Sequence, residues 1–148
     1  MVDAATLAAM LSTLRRYIVV LQGLAAVSKE AFLADPDRIG NAKYHFVIAI
    51  ECCIDVANHI IASENYRIPK DNADSFAVLI EEGIVPETLR ESLRDMARFR
   101  NRLVHIYWEV DDERVYEYLQ TVLQDFHAFA RAVAEHSWSE CQDGNCTP

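Results

Sequence analysis

The stretch that most constrains the fold is YHFVIAIECCIDVANHII, residues 44–61, which holds neither glycine nor proline and is apolar on more than one face when wound as a helix. A helix that is apolar around most of its circumference is buried on several sides. The chain has 148 residues, the size of one ordinary domain with a real core. In so small a domain such a helix is central to a bundle, and it is expected also to meet a second subunit. The flanking segments supply its neighbours. Leu7, Met10, Leu11, Leu14, Tyr17, Ile18, Leu21 and Leu24 recur at steps of three and four, which predicts one amphipathic helix from Ala4 to about Val27. Ser28 then caps a short turn through Leu33. Asp35-Pro36 reads as an N-cap followed by proline at the first helical position. The central helix therefore begins there or just after Gly40, and runs to about Ser63.

Pro69 breaks the loop ENYRIPKDN, and a third helix runs from about Asn72 to Glu82, closed by Gly83 in the left-handed conformation glycine favours. Pro86 opens a fourth helix whose core stripe is Leu89, Leu93, Met96, Phe99 and Leu103. WEVDDERV interrupts it, with Asp111 or Asp112 as the next cap. A fifth helix from about Glu113 to His136 follows on Val115, Tyr118, Leu119, Val122, Leu123, Phe126, Phe129 and Val133. Only four glycines and four prolines are present, too few breakers for a hairpin-rich fold. The expectation is all-α: an antiparallel bundle of four long helices plus one or two short ones. It forms a single domain over residues 1–136, with a polar, flexible tail over 137–148.

Hydrophobic residues make up 51% and charged residues 25% of the chain, a globular balance rather than a disordered one. The N-terminus has an acid at position 3 and no basic n-region, and charges or amides interrupt every apolar segment. No membrane association is expected, and the protein is expected to be cytoplasmic. Cys52 and Cys53 are adjacent in the central helix, whereas Cys141 and Cys146 sit in the tail. With no CxxC and no zinc-type quartet, reduced thiols are the leading reading and a Cys141–Cys146 bridge the lesser one. The net charge of −9 repels nucleic acid at long range, so any role with RNA must rest on a local basic patch.

One patch exists. Arg94, Arg98, Arg100 and Arg102 precede His105, Tyr107 and Trp108. Arg94, Arg98 and Arg102 share a helical stripe. Arg100 and His105 are five residues apart, so on a regular helix they point about 140° from each other. To address one ligand they need a helix end near Val104, a long reach, or a ligand bridging two subunits. The negative pole of a helix C-terminus favours cations, and a phosphate there has to be gripped by side chains such as Arg forks. On spacing alone the plainer reading is a solvated face with ion pairs to Glu91, Asp95 or Glu109.

Other constellations carry two readings each. Glu51, Asp55 and His59 form a polar stripe on the central helix. It is a lane that orients Arg100 or Arg102, a plain exposed or dimer-facing stripe, or, least favoured, a metal site. Tyr118 reads as core. Tyr116 reads as packed or surface aromatic, with base stacking as the alternative. His45, His127 and His136 read as ordinary surface residues. No glycine loop cradles a phosphate, so the chain itself is not expected to bind ATP as a nucleotidyltransferase, and no cofactor or metal is expected.

Arg100-Asn101, then His105, then Tyr107 reads Arg-x4-His-x-Tyr and resembles the HEPN superfamily motif. Four specified residues at fixed spacing occur by accident in about one chain in a thousand of this size. The segments FRNRLVHIYW, VDDERVYEYL, ECCIDVANHII and FAVLIEEGIVPETLRESLRDMARFRNRLVH look like the HepT branch in order and register, over roughly residues 5–135. The resemblance implies a helical homodimer that joins two Arg–His motifs in one composite cleft. It implies a metal-independent endoribonuclease, the toxin of a type II-like toxin–antitoxin pair whose partner is an MNT-type nucleotidyltransferase antitoxin. Carried over by position, Arg100 and His105 are catalytic, and Asn101 is the polar companion. Tyr107 is then the tyrosine that the antitoxin adenylylates, using ATP. Arg102, Asp55 and Glu51 are read as supporting residues.

The chemistry agrees with that implication. RNA carries its own nucleophile, the 2′-hydroxyl, so cleavage needs a base near neutrality and a cation for the phosphorane, roles that histidine and arginine fill. Two symmetry-related histidines would serve as base and acid and leave a 2′,3′-cyclic phosphate. AMP on Tyr107 would fill the cleft with bulk and negative charge. The alternative from another class is a non-catalytic HEPN module that presents RNA or nucleotide to a partner nucleotidyltransferase.

Overall fold

The computed structural model describes residues 2–143. In chain order these form α1 (Ala4–Ala25), α2 (Lys29–Leu33), α3 (Pro36–Ser63), α4 (Asn72–Glu81), α5 (Arg90–His105), α6 (Asp112–Thr121) and α7 (Leu123–Gln142). Short 3-10 turns lie at Glu87–Leu89 and Tyr107–Glu109, and the described residues contain no strand. Side-chain caps set most helix starts. The Ala5 N–H donates to Asp3, Ala31 to Ser28, Asp37 to Asp35, Asp74 to Asp71 and Glu113 to Asp111. Four of these five caps, all but Ser28, are carboxylates placed at the positive end of a helix dipole. The Asp35 cap settles the start of α3 at Pro36, so Gly40 lies inside the helix. Gly83 closes α4 at a φ of +74°, a value that disfavours any side chain there.

The central helix α3 packs against α1, α4, α5 and α6, as its apolarity demands. Phe46, Ala49, Ile50, Cys53, Val56, Ala57 and Ile60 are all buried along it. By length and composition α1 and α3 could each cross a bilayer. Half of the α3 window, however, lies inside the bundle, and α1 turns Leu7, Leu11, Leu14, Ile18, Leu21 and Leu24 into the core. Where α3, α5 and α6 meet, Phe46, Phe99 and Tyr118 form an aromatic knot with centroid separations of 5.4, 5.3 and 4.5 Å. Truncating such a buried Phe costs about 3–5 kcal/mol. The knot therefore fixes α5 against α3 one residue before Arg100.

Two expectations need correction. The fifth helix is two helices, α6 and α7, broken at Val122. The Thr121 hydroxyl donates back to the carbonyls of Glu117 and Tyr118 at 3.4 and 3.5 Å, and such back-bonding bends helices. The bundle accordingly has four long helices and three short ones rather than one or two. The tail expected to begin at residue 137 instead continues α7 to Gln142. Ser137 and Cys141 keep a semi-buried register against α1, which polar composition concealed. Cys146 lies outside the described residues, and with it the expected state of the Cys141–Cys146 pair.

Candidate active site

The site begins where α5 ends. Arg102 O accepts from the Ile106 N–H at 2.9 Å, and Ile106 leaves helical space at φ −135°, ψ 44°. No glycine forces the stop. Val110, 6% exposed, has to reach the core, and Asp111 has to cap α6. The five residues between His105 and Asp111 therefore tighten into a 3-10 turn, closed by the Glu109 N–H donating to Ile106 O at 2.8 Å. His105 thus occupies the last helical position, exposed, at the negative pole of the α5 dipole. α5 ends one residue past Val104 with Arg100 and His105 both still inside it, so a shared ligand calls on the reach of the arginine or on a second copy.

Arg100 points to the central helix. Its Nε and Nη2 donate to Glu51 Oε1 at 3.1 and 2.8 Å, and its Nη1 donates to Asn101 Oδ1 at 3.1 Å. A guanidinium has five N–H donors, so this clamp leaves two for a ligand. The arginine side chain is 21% exposed and Glu51 40%; the group is held from inside and open to solvent on its outer edge. Of the three readings of the Glu51–Asp55–His59 stripe, Glu51 takes the orienting one. Asp55 is exposed and makes no ion pair among the described residues. Partial burial, and then the charge of Glu51, push its carboxyl pKa up. His59 lies toward the start of α1. Thr6 hydrogen bonds chiefly hold the Asp3 carboxyl below its ordinary value there, and His59 adds to the effect.

Arg102 is exposed and does not join the clamp, nor does Arg98; Arg94 pairs loosely with Glu91 at 3.8 Å. Tyr107 lies on the 3-10 turn at 46% exposure with Trp108 beside it at 78%. Neither ring makes a side-chain hydrogen bond among the described residues. Tyr116 is not a base platform: its hydroxyl donates to Val27 O at 2.8 Å and its ring leans on Phe32. Tyr118 is core, as its spacing predicted, with a hydroxyl pKa raised mainly by burial.

The sequence reading missed Lys43. It lies on α3 at 6% exposure, the one buried cation among the described residues. Its Nζ sits 3.0 Å from Asp112 Oδ1 and 4.3 Å from the centroid of the Tyr107 ring. A signal existed: Ile39, Ala42, Lys43, Phe46 and Ile50 share the buried stripe of α3, and a lysine on such a stripe needs an acid. Elsewhere, only Glu64, His136 and Glu140 bring three potential metal ligands within 4.8 Å of one another among the described residues. His136 is thus less ordinary than its spacing suggested. Glu64 caps the C-terminus of α3, thirteen residues beyond Glu51 and about 20 Å along the axis, so this group is separate from the α5 end.

The all-helical bundle, with α5 ending at the histidine of Arg-x4-His-x-Tyr and the arginine bonded to an acid of the central helix, agrees with the HEPN resemblance of the motif. Residues 14–133 match the family model described as Ribonuclease HepT-like, and the chain belongs to that family. It is 37% identical over 79 residues to the mRNA nuclease HepT of Shewanella oneidensis, a match covering 53% of this chain and 59% of that protein. It is 22% identical over 123 residues to the tRNA nuclease HepT of Aphanizomenon flos-aquae, covering 83% and 84%. The fold superposes on the tri-AMPylated HEPN toxin of Shewanella oneidensis, solved in complex with MNT antitoxin. The TM-score is 0.81 with 27% identity, over 91% of this chain and 99% of that one.

Proposed function

We propose that this chain is the toxin of a cytoplasmic toxin–antitoxin pair and acts as an endoribonuclease without a metal, restrained by an MNT-type nucleotidyltransferase. The observation that carries the reading is the end of α5, where a clamped arginine with two spare donors stands five residues before an exposed histidine. His105 takes the proton of an RNA 2′-hydroxyl, whose oxygen attacks the adjacent phosphorus. Arg100 holds the charge that builds on the phosphorane oxygens. The 5′-oxygen leaves with a proton from the symmetry-related His105 of a second copy, giving a 2′,3′-cyclic phosphate and a 5′-hydroxyl. Asn101 keeps the guanidinium turned outward. Names of relatives that cut mRNA and tRNA support RNA as the substrate class.

The same turn offers the control point. The hydroxyl of Tyr107 is not hydrogen-bonded within the described chain and lies two residues from His105. ATP serves the partner, which transfers AMP to that oxygen; the AMPylated state of the Shewanella relative supports this assignment. The test is cleavage of purified RNA in EDTA by the parent, Arg100→Ala and His105→Ala proteins, with the product ends mapped. Cleavage that survives either substitution, or stops on adding EDTA, overturns the mechanism. A protein that binds RNA but never cuts it would establish the presenting module instead.

A further inference from the structure

We infer that Lys43 is a positioning residue for the modification of Tyr107, an assignment that rests on the reading of Tyr107 as the AMP acceptor. Three facts converge on it. A lysine ammonium is strongly hydrated, and burying one is costly unless it is paired. Lys43 is nevertheless 6% exposed in the middle of an apolar helix face. Its ion-pair partner, Asp112, is the first residue of α6 and lies immediately beyond the turn that carries Tyr107. Its ammonium faces the Tyr107 ring at 4.3 Å from the centroid, close enough for cation–π attraction. The turn itself is held by only two backbone hydrogen bonds, one of them 3.4 Å long, and Tyr107 and Trp108 have no buried side chain between them. Lys43 is therefore the tether that ties this solvent-facing ring to the central helix.

The tether matters because transfer needs an oxygen held still. Tyr107 Oη attacks the α-phosphorus of ATP, the bond to the bridging oxygen breaks, pyrophosphate leaves, and the phenolic proton passes to water or to a base of the transferase. A ring that swings on its side-chain torsions presents that oxygen for a fraction of the time. The phosphodiester left on Oη carries a negative charge, and Lys43 is the cation already at that ring. Asp112 keeps the ammonium in place before modification and shares it afterwards.

The experiment measures single-turnover AMP incorporation at Tyr107, by mass spectrometry, with saturating MNT nucleotidyltransferase and ATP. The parent, Tyr107→Phe, Lys43→Met, Lys43→Arg and Asp112→Asn proteins are compared. The expected result is a rate between about threefold and thirtyfold lower for Lys43→Met, a smaller drop for Asp112→Asn, and recovery in Lys43→Arg, which keeps the cation. A merely structural lysine would not separate Met from Arg in this way once both proteins are folded. If Lys43→Met does not fold, Asp112→Asn and Lys43→Arg decide the matter: an Asp112→Asn rate equal to the parent overturns the tether. Lys43→Met modified at the parent rate overturns it as well, while leaving Tyr107 as the acceptor. No AMP on the parent, or equal AMP on Tyr107→Phe, removes the acceptor assignment and the tether together.

Discussion

Removing Glu51 tests the clamp most directly, and the structure sets the size of the effect. Glu51→Ala deletes one oxygen that accepts two charge-assisted bonds from Arg100, at 3.1 and 2.8 Å. Such bonds contribute about 1.5–3 kcal/mol when sheltered. Glu51 is 40% exposed, so solvent screening brings the stability loss down to about 0.5–1 kcal/mol, a fall of about 1–4 °C in Tm. The loss of activity should be larger than the loss of stability. Arg100 would keep its bond to Asn101 but no longer be fixed to α3, and a misplacement on the order of 1 Å costs up to about 100-fold in rate. The expected fall in kcat is about 10- to 100-fold, equivalent to about 1.4–2.7 kcal/mol of barrier, with KM changed far less. Glu51→Gln retains an acceptor oxygen and should fall between parent and Glu51→Ala. The assay is RNA cleavage under single-turnover and steady-state conditions, run alongside thermal unfolding. A double-mutant cycle on thermal stability closes the test: in an Arg100→Ala background Glu51→Ala should lower Tm almost no further. Activity within twofold of the parent, or the same Tm loss in the absence of Arg100, would refute the clamp.

Two further perturbations address stability. Tyr118 Oη is buried with no hydrogen-bond partner among the described residues, and an unpaired buried hydroxyl is costly. Tyr118→Phe keeps the ring contacts to Phe46 and Phe99 and should leave stability unchanged or raise it by up to about 1 kcal/mol; a clear drop in denaturant midpoint would show a partner was lost. Arg67 bonds both carboxylate oxygens of Asp74 and both of Glu81 at 2.7–2.9 Å, which holds both carboxyls below their ordinary range. Folded values below unfolded ones mean that this stabilisation is present at neutral pH and lost as pH falls from about 4 through the folded values. Arg67→Met should lower Tm at pH 7 and flatten its fall between pH 5 and 2.5; parallel Tm–pH curves for the two proteins would count against it.

What the sequence disclosed depended on whether a residue acts locally. Ser28, Asp35 and Asp111 cap helices through N–H groups two or three residues away, and such signals can be read from spacing alone. The motif was legible for the same reason, since Arg100, Asn101, His105 and Tyr107 lie within eight residues. The Glu51–Arg100 bond spans 49 positions; it could be anticipated only as one use of a polar stripe, because the stripe does not say which arginine faces it. Lys43 stayed hidden because its partners, Tyr107 and Asp112, come from a turn whose path is set by Val110 reaching the core. The break at Val122 was hidden too, since Val122, Leu123 and Phe126 keep helical spacing across it. The break leaves the apolar pattern intact.

The basic end of an acidic protein has a last, measurable consequence. α5 carries five arginines and two acids in a chain of net charge −9. Arg90 is held by Glu87, Arg94 lies near Glu91, and Arg100 is clamped by Glu51, so the exposed α5 arginines with no ion pair among the described residues are Arg98 and Arg102. With the outer edge of Arg100 they offer about three phosphate contacts per chain, against a body that repels RNA beyond a Debye length. Single-stranded binding loses about 0.7 in log K per log salt for each phosphate neutralised. A His105→Ala protein, unable to cut, should therefore bind single-stranded RNA with a slope near −2 for one chain, and near −4 where two copies share a cleft. Fluorescence anisotropy across 50–300 mM salt measures it, and Arg98→Ala should make the slope shallower by about 0.7. A slope near zero would mean that the arginines face solvent without meeting phosphate. A slope far steeper than −4 would mean that RNA is held on a basic surface other than the end of α5.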